Sequence, residues 1–427
     1  MEVKKTLNWQ NLACKSFNKK ILDNYFIVIY IIKAFFIAFC LSAFIYFEYF
    51  ECTNFLVNSL LAFIGFYFLL GAPKAIWFWS GFFIGIFWFY WISFSFIYYD
   101  LVYLIPLIIL SVALFYAFLF WLIGKFGNSI MIQALLLYFL SFIEPFGFNW
   151  LKLELTLLNS YISIQPLQFG LFLMAIVGIK VLPKWYKTLS IPLLVLASLH
   201  FSSSTVEVPK IDVEMPPMNI EQSQRWDLKY QKDAIKLNFT LIENAIEKGK
   251  DLIILPESAF PLYLNRSEDV IAVLKNYSYK IAIVAGALTF ENDNYFNSSY
   301  LFQDGQMQIA HKIVLVPFGE EVPLPEFLAN FVNQIFFDGA KDYVKAKNPQ
   351  DFTIKGVEFR SAICFEATKD VLYKNNPKQM IAISNNAWFT PSIEQTLQNL
   401  LLRFYAKKYQ TIIYHSANSG INGVILP

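Results

Sequence analysis

The chain has 427 residues, of which 56% are hydrophobic, 19% aromatic and only 15% charged, with a formal net charge of +2. This composition excludes an ordinary soluble globular protein, and the small net charge with no basic block after the N-terminal segment excludes a nucleic-acid-binding footprint. Four cysteines without paired spacing and three histidines give no basis for a disulfide framework, a zinc site or a histidine-based triad.

Long apolar stretches in the first half predict helices that cross a lipid bilayer. Between Phe55 and Ile123 the only charged residues are Lys74 and Asp100. Within lipid, backbone N–H and C=O groups must be satisfied inside the segment, which favours helices. We therefore predict a transmembrane helical domain over residues 1–204 with seven spans, at 25–47, 55–71, 76–98, 102–123, 129–143, 161–179 and 186–202.

The lysines of the first half predict how these spans are oriented. In the seven-span register ten of them fall on one side of the membrane, which the positive-inside rule identifies as the cytoplasm, while Lys33 lies within the first span and Lys152 lies in the opposite loops. The ten lysines on the cytoplasmic side are Lys4, Lys5, Lys15, Lys19, Lys20, Lys74, Lys125, Lys180, Lys184 and Lys187. We therefore expect a multi-pass protein of a bacterial inner membrane, with a cytoplasmic N-terminus and everything after residue 202 in the periplasm.

After the Ser/Thr-rich joint Ser202–Thr205, short apolar runs alternate with amphipathic stretches. This alternation is typical of an α/β domain, which we place at residues 205–427. The predicted strands are 211–215, 251–255, 280–289, 296–303, 306–316, 357–363, 379–384, 411–415 and 421–426, and the predicted helices are 227–249, 267–276, 367–375 and 391–409. The segment 323–348 is unusually apolar for a connection between strands, and we expect it to be a lid or a membrane-dipping arm.

Cys364 follows the apolar run Val357–Ile363 and provides the thiol of the second half. The carboxyl ends of strands are where α/β sheets present reactive groups, so a nucleophile is one interpretation. The alternative is a small buried core residue, as free cysteines commonly are. An unpaired thiol in an oxidising compartment favours the first interpretation.

Glu257 and Lys312 could complete such a site. Glu257 comes directly after a predicted strand, and Lys312 lies in an apolar strand that leads into the turn Val316–Glu320. Taken singly, the first could be a turn or capping residue and the second an exposed strand lysine. Together with Cys364, however, a carboxylate base, a cation and a thiol suffice for thioester chemistry without histidine. His311 adjoins the lysine but would point to the opposite face of the strand.

Glu257, Lys312 and Cys364, in this order and in these contexts, resemble the Glu–Lys–Cys triad of the carbon–nitrogen hydrolase (nitrilase) superfamily, whose fold is an αββα sandwich. More narrowly, the Val316–Glu320 turn, the segment Ser384–Phe389 and the preceding multi-span half resemble the apolipoprotein N-acyltransferases. The likeness covers nearly the whole chain. It implies a multi-span α-helical membrane domain followed by an α/β nitrilase-like catalytic domain.

The resemblance also implies a role for each residue of the site. Glu257 would be the general base, Lys312 the cation beside the oxyanion, Cys364 the nucleophile, and Glu320 and Glu366 supporting carboxylates. Trp226 and Asn297 match positions that the family associates with substrate binding or site support, and Phe365 stands where many relatives have tyrosine. Trp388 and Phe389 follow a predicted strand and would border the acyl path. Ordinary packing is the alternative for these side chains.

The reaction that the resemblance implies is a ping-pong acyl transfer, the final step of lipoprotein maturation. A phospholipid, typically phosphatidylethanolamine, acylates the cysteine and leaves as a lysophospholipid. The acyl chain then passes from the thioester to the α-amino group of the diacylglyceryl-cysteine of an apolipoprotein. No metal or nucleotide cofactor is implied, and we expect the chain to act as a monomer in the bilayer.

Two other functions are compatible with parts of the sequence. A membrane-anchored amidase of the nitrilase type would use Glu257, Lys312 and Cys364 but give the acyl group to water, and it would not need seven aromatic-rich spans. A transporter or lipid-binding protein would be expected to have buried ionisable residues in its spans. Apart from Lys33, the predicted spans contain almost none.

Overall fold

The structure is a computed structural model that describes residues 7–199, 206–224, 228–323 and 343–427. Contacts between residues divide the chain into two compact units. The helical unit comprises Met1–Tyr90, Leu107–Leu140 and Asn159–Leu199, and the α/β unit comprises Trp91–Pro106, Ser141–Leu158 and His200–Pro427. The predicted order of helical elements followed by α/β elements is confirmed, while the boundary at residue 204 stays a prediction.

The first half folds into helices at the positions of the predicted spans. They are α1 (Leu7–Tyr49), α2 (Phe55–Leu69), α3 (Lys74–Phe89), α4 (Ile105–Phe126), α5 (Ile130–Leu140), α6 (Pro166–Val181) and α7 (Ser190–Ser198). Local signals set their starts: the Asn54 side chain accepts a hydrogen bond from the Val57 N–H at the start of α2, and a proline begins α6. α3 continues as the 3-10 helix Tyr90–Tyr99.

Three helical stretches among the described residues are long and apolar enough to cross a bilayer, namely Ile27–Tyr49, Lys74–Tyr99 and Val102–Phe126. The predicted spans 129–143 and 186–202 are wrong in extent, because α5 has only 11 residues and α7 only 9. A helix of 11 residues rises about 16 Å, against roughly 30 Å for the hydrocarbon core. The apolar residues after α5 belong to the α/β unit, and residues 200–202 lie outside the described residues.

Within the helical unit, the backbones of α3 and α4 pack close together. A Cβ atom at Gly81 would lie 2.5 Å from the carbonyl oxygen of Tyr116, and one at Gly85 would lie 2.9 Å from the Cα of Ala113. Small residues four positions apart are typical of helix contacts in membranes, where they let two backbones approach. Many large apolar side chains of this unit are exposed, as contact with lipid tails requires.

The α/β unit contains two β-sheets. Their strands are β1 (Val213–Glu214), β2 (Leu252–Ile254), β3 (Phe260–Tyr263), β4 (Ala282–Glu291), β5 (Asn294–Gln303), β6 (Gln306–His311), β7 (Asp351–Ile354), β8 (Val357–Ile363), β9 (Gln379–Asn385), β10 (Ile412–Asn418) and β11 (Gly423–Ile425). The first sheet has the order β1-β2-β4-β5-β6 with β3 paired to β4, and the second has the order β11-β10-β9-β8-β7. β2 pairs in parallel with β4, and β9 pairs in parallel with β8 and β10. β2 and β9 are continuous buried runs because both of their faces are covered.

The two sheets pack face to face. Leu252 and Val284 of the first sheet share a buried cluster with Ile363 and Ile381 of the second. The other face of the first sheet packs against helices α8 (Leu228–Glu247) and α9 (Glu268–Tyr277), and helix α10 (Glu394–Tyr409) contacts β10 of the second. This is the predicted αββα sandwich, in which residues that follow β2 and β8 can meet.

The predicted strand 306–316 is too long, because β6 ends at His311. The backbone N–H groups of Ile313 and Val314 donate to the carboxylate of Glu366 instead of extending the sheet ladder. A side chain from a later part of the chain therefore ends this strand, although the sequence continues to be apolar.

The second half contains two further differences from the predicted elements. The predicted helix 367–375 is wrong: two 3-10 helices, Cys364–Thr368 and Asp370–Tyr373, are present instead, since Lys369 between them has an extended backbone. Strands β3 and β7 were not predicted. β3 contains Pro261, and β7 is a short strand at the edge of its sheet, so both lack a clear strand pattern.

Candidate active site

Cys364 lies directly after β8, at the start of a 3-10 helix. Its φ of +56° is in the left-handed region that residues with a Cβ rarely occupy, so this turn holds the thiol in a strained conformation. Burial raises the pKa of the thiol well above its ordinary value, and the Glu257 carboxylate raises it further, while the Lys312 ammonium opposes both. The thiol therefore needs a base when it reacts.

Glu257 follows β2 in a turn that lies against β4. Gly286 of β4 makes this approach possible, because a Cβ at its position would lie 2.6 Å from the Glu257 Cα and 2.6 Å from the backbone nitrogen of Ser258. Glu257 is 7% exposed and accepts a hydrogen bond of 2.7 Å from Asn297 Nδ2. The glycine and the asparagine together fix where the carboxylate points.

Lys312 is fully buried, one residue beyond β6. Its Nζ lies 2.7 Å from Oε2 of Glu320 and 3.8 Å from Oε1 of Glu257. Burial by itself would lower the pKa of the ammonium, but the carboxylates of Glu320 and Glu257 outweigh this effect and hold the pKa above its ordinary value. Lys312 therefore provides a permanent positive charge in the site.

Asn297 on β5 joins the two carboxylates. Its Nδ2 donates to Oε1 of Glu257 at 2.7 Å and to Oε1 of Glu320 at 2.9 Å. Glu320 also accepts the N–H of Val316 through Oε2 at 2.8 Å, which closes its turn. Of the predicted supporting residues, Asn297 is thus in direct contact with the predicted base, and Glu320 contacts Asn297 and the predicted cation.

The buried Glu366 binds three backbone N–H groups from two parts of the chain. Its Oε2 accepts from Ile313 at 2.7 Å and from Val314 at 3.1 Å, and its Oε1 accepts from Ile363 at 2.8 Å. Burial raises the pKa of this carboxyl to about 7, although the nearby Lys312 ammonium and the N–H donors act in the other direction. Glu366 therefore joins the segment that carries the lysine to the turn that carries the cysteine.

Phe365, Trp388 and Phe389 pack in an aromatic layer of the α/β unit. Their ring partners come from stretches of the first half, and the centroid distances are 5.8 Å from Phe365 to Phe148, 5.4 Å from Trp388 to Tyr98, and 4.8 Å from Phe389 to Trp91. These ring contacts are sufficient to explain the three side chains as packing residues. Their role in substrate binding stays a prediction.

Two predicted features lie outside the described residues, namely Trp226 and residues 324–342 of the apolar segment. The chain that follows this segment is described. There the N–H of Ala346 donates to the carbonyl oxygen of Lys312 at 3.0 Å, which brings this part of the chain beside the site.

Sequence reasoning missed three buried polar residues near Cys364. Gln398 Nε2 lies 3.8 Å from the Cys364 Sγ, and Asn386 Nδ2 donates to both Gln398 and Glu394. Burial raises the pKa of Glu394 to about 8. One feature of the sequence could have indicated them. Glu394 and Gln398 are four residues apart, so they lie on the same face of α10 as buried apolar residues, where polar side chains are unusual.

The arrangement brings a partly buried thiol together with a buried carboxylate and a buried, permanent ammonium. Nucleophilic attack on a carbonyl carbon requires a group that removes the thiol proton and a charge that stabilises the oxyanion. Among the described residues, no group of three or more His, Cys, Asp or Glu is placed to hold a metal ion. The thiol, the carboxylate and the ammonium are together suited to acyl chemistry through a thioester.

Two family models match successive parts of the chain. Residues 28–200 match the apolipoprotein N-acyltransferase integral membrane domain, and residues 222–425 match carbon–nitrogen hydrolase. The nitrilase-like character predicted for the second half is confirmed by the latter match.

Relatives of known name match over most of the chain. An apolipoprotein N-acyltransferase of Wolinella succinogenes is 44% identical over 397 residues, which cover 92% of this chain and 95% of the relative. Another, of Helicobacter pylori, is 39% identical over 379 residues, which cover 87% of this chain and 88% of the relative. A solved carbon–nitrogen hydrolase superfamily protein of Xanthomonas campestris is 17% identical, with a TM-score of 0.37 over 50% of this chain and 77% of its own.

Proposed function

The chain belongs to the apolipoprotein N-acyltransferase family, as 44% identity over most of its length establishes, and we propose that Cys364 carries the acyl group from a phospholipid to an apolipoprotein. It is a multi-span membrane protein and an acyltransferase with lipid-related substrates. The residues that perform each step are part of the proposal.

The proximity of three chemical groups supports this assignment of roles. Lys312 Nζ lies 3.8 Å from the carboxylate of Glu257. The thiol of Cys364 is close enough to both residues for their charges to change its pKa. A base, a cation and a nucleophile at this proximity are the groups that transfer through a thioester requires.

In the first half-reaction, Glu257 accepts the thiol proton of Cys364 while Sγ attacks the ester carbonyl of a phospholipid. Lys312 stabilises the negative charge that develops on the carbonyl oxygen. The carbon–oxygen bond then breaks, and the leaving alkoxide takes the proton from Glu257. A lysophospholipid departs, and the acyl chain remains on Sγ as a thioester.

In the second half-reaction, the neutral α-amino group of the S-diacylglyceryl-cysteine at an apolipoprotein's N-terminus attacks the thioester. Glu257 accepts a proton from the attacking nitrogen, the carbon–sulfur bond breaks, and the departing thiolate of Cys364 takes that proton. An amide is formed and the thiol is restored. This N-acylation would be the final step of lipoprotein maturation.

We take the donor to be phosphatidylethanolamine and the site to face the periplasm across an inner membrane. The lysines of the predicted cytoplasmic loops support this orientation. The exposed apolar side chains of the helical unit suit substrates that approach with their tails in the bilayer. Glu257, Lys312 and Cys364 come from one chain, which supports a monomer.

The test of this function is release of lysophospholipid that depends on the acceptor. Full-length protein in phosphatidylethanolamine vesicles receives a synthetic diacylglyceryl-cysteine peptide whose α-amino group is either free or acetylated. Many turnovers with the free amine, and a single equivalent of lysophospholipid with the acetylated peptide, are expected for acyl transfer. Many turnovers with both peptides would contradict the proposal and favour an amidase-like transfer to water.

A further inference from the structure

Gln398 on α10 places its amide against the proposed nucleophile. Its Nε2 lies 3.8 Å from the Sγ of Cys364, and the residue is only 1% exposed. An amide NH2 group is a donor, and a thiolate is an acceptor. Gln398 is buried and Cys364 is partly buried, so the contact is only partly open to water.

Asn386 determines which end of the Gln398 amide faces the sulfur. Its Nδ2 donates to Oε2 of Glu394 at 2.7 Å and to Oε1 of Gln398 at 2.9 Å. The carbonyl oxygen of the Glu394 carboxyl accepts a hydrogen bond whether or not the group is protonated, so the Asn386 amide turns its NH2 group toward Glu394. The same NH2 group reaches the oxygen of Gln398, which directs the NH2 group of Gln398 to Cys364.

The charges near Cys364 make this neutral donor useful. Lys312 is already paired with Glu320 and lies within 3.8 Å of Glu257. Burial and the Glu257 carboxylate both raise the pKa of the thiol. A neutral amide can stabilise the thiolate without adding a cation that the two carboxylates would attract.

We propose that Gln398 is a further catalytic residue, which donates a hydrogen bond to the Cys364 thiolate when Sγ attacks and again when the carbon–sulfur bond breaks. Asn386 and Glu394 are then positioning residues that orient this donor. The place of Gln398 in turnover rests on the proposed function, whereas its effect on the reactivity of the thiol does not.

The test is the rate at which iodoacetamide alkylates Cys364 in the full-length protein in detergent, measured against pH. Peptide mass spectrometry separates Cys364 from the other cysteines. Gln398→Met keeps the length of the side chain but removes the amide. We expect the midpoint of alkylation to move to higher pH and the rate at neutral pH to fall about tenfold, as for loss of a hydrogen bond to a charged group.

Two further variants make the result specific. Gln395→Met is the matched control, because Gln395 is a half-buried residue of the same helix, and we expect it to keep the wild-type alkylation profile. Gln398→Leu removes the donor with an apolar side chain of a different shape. Its alkylation should slow at least as much as that of Gln398→Met, and it decides the question if Gln398→Met does not fold.

The same variants are then incubated with phosphatidylethanolamine vesicles, and the acyl-thioester is followed by intact mass. Slower alkylation and slower acylation in the Gln398 variants support the proposal. A wild-type alkylation profile in a folded Gln398 variant overturns it, even if acylation is slow. If the wild-type protein forms no thioester but the alkylation shift is present, the proposed function fails while the role of Gln398 as a donor to the thiolate is supported.

Discussion

The Nζ of Lys312 lies 2.7 Å from Oε2 of Glu320 but 3.8 Å from Oε1 of Glu257. Glu320 is therefore the resting counter-ion of the buried ammonium, which leaves Glu257 available to accept a proton. Asn297 holds both carboxylates in these positions, because its Nδ2 donates to each of them. In the proposed mechanism, Glu320 therefore has an electrostatic role and Glu257 a chemical one.

Glu320→Gln keeps the shape of this side chain but removes its charge. Lys312 would then pair with Glu257 and weaken it as a base, so we expect acyl-thioester formation to slow at least tenfold. Loss of one partner from a buried ion pair should also lower the free energy of unfolding by about 3 to 5 kcal/mol. Time-resolved intact mass and thermal unfolding measure the two effects.

The matched control for this variant is Glu321→Gln at the next position. Its partner Lys345 is exposed, and exposed ion pairs contribute little to stability. We expect wild-type acylation and stability for the control. A wild-type acylation rate in Glu320→Gln would contradict the role given to Glu320.

Gly286→Ala tests whether the approach of β4 positions the base. The added methyl group would lie 2.6 Å from the Glu257 Cα, so the backbone at Glu257 must shift. A displacement of about 1 Å can slow a reaction roughly 100-fold, and we expect acylation to slow by about 10- to 100-fold. Gly170→Ala is the control, because its Cβ would meet its nearest neighbour, on Tyr138, at an ordinary 3.5 Å. Equal acylation rates for the two variants would refute this positioning.

The stability of the protein should depend on pH through the buried Glu394. Burial raises the pKa of this carboxyl from its ordinary 4.5 to about 8. Between these two pH values the folded chain holds a proton that the unfolded chain has lost, so the free energy of unfolding falls as the pH rises. The contribution of Glu394 to the free energy of unfolding is therefore complete below pH 4.5 and is lost above about pH 8.

Glu394→Gln should therefore flatten the fall in the thermal midpoint between about pH 5 and pH 8. Part of the pH dependence of the thermal midpoint should remain in this variant, because the pKa of Glu366 is also raised, to about 7. Thermal unfolding followed by tryptophan fluorescence at several pH values gives the comparison. Identical pH dependence in the wild type and the variant would show that Glu394 is not protonated in the folded protein.

The three proposed reacting residues could be predicted because local sequence carries their positions. Glu257 and Cys364 each follow an apolar strand, and Lys312 lies where an apolar strand leads into a turn. The change of composition after the first half separated helical from α/β elements in the same way. In the structure β2 belongs to the first sheet and β8 to the second, so the meeting of Glu257 and Cys364 depends on how the two sheets pack, which local sequence does not contain.

Contacts between distant parts of the chain explain what the sequence did not predict. β6 ends at His311 because the Glu366 carboxylate, 53 positions away, accepts a hydrogen bond from the N–H of Ile313. Gln398 contacts Cys364 although the two residues are 34 positions apart in the sequence. The sequence pattern of α10 indicates that one face of the helix is buried, but not which residue that face contacts. Likewise, α5 ends although the sequence remains apolar, because the following residues join the α/β unit. No local periodicity contains this information.

The most direct measurement is the intact mass of the full-length protein after incubation with phosphatidylethanolamine vesicles, before and after neutral hydroxylamine. We expect the wild-type protein to gain the mass of one acyl chain, hydroxylamine to remove it, and Cys364→Ala to gain nothing. Absence of the gain in the wild-type protein, or the same gain in Cys364→Ala, would contradict the claim that Cys364 carries the acyl group.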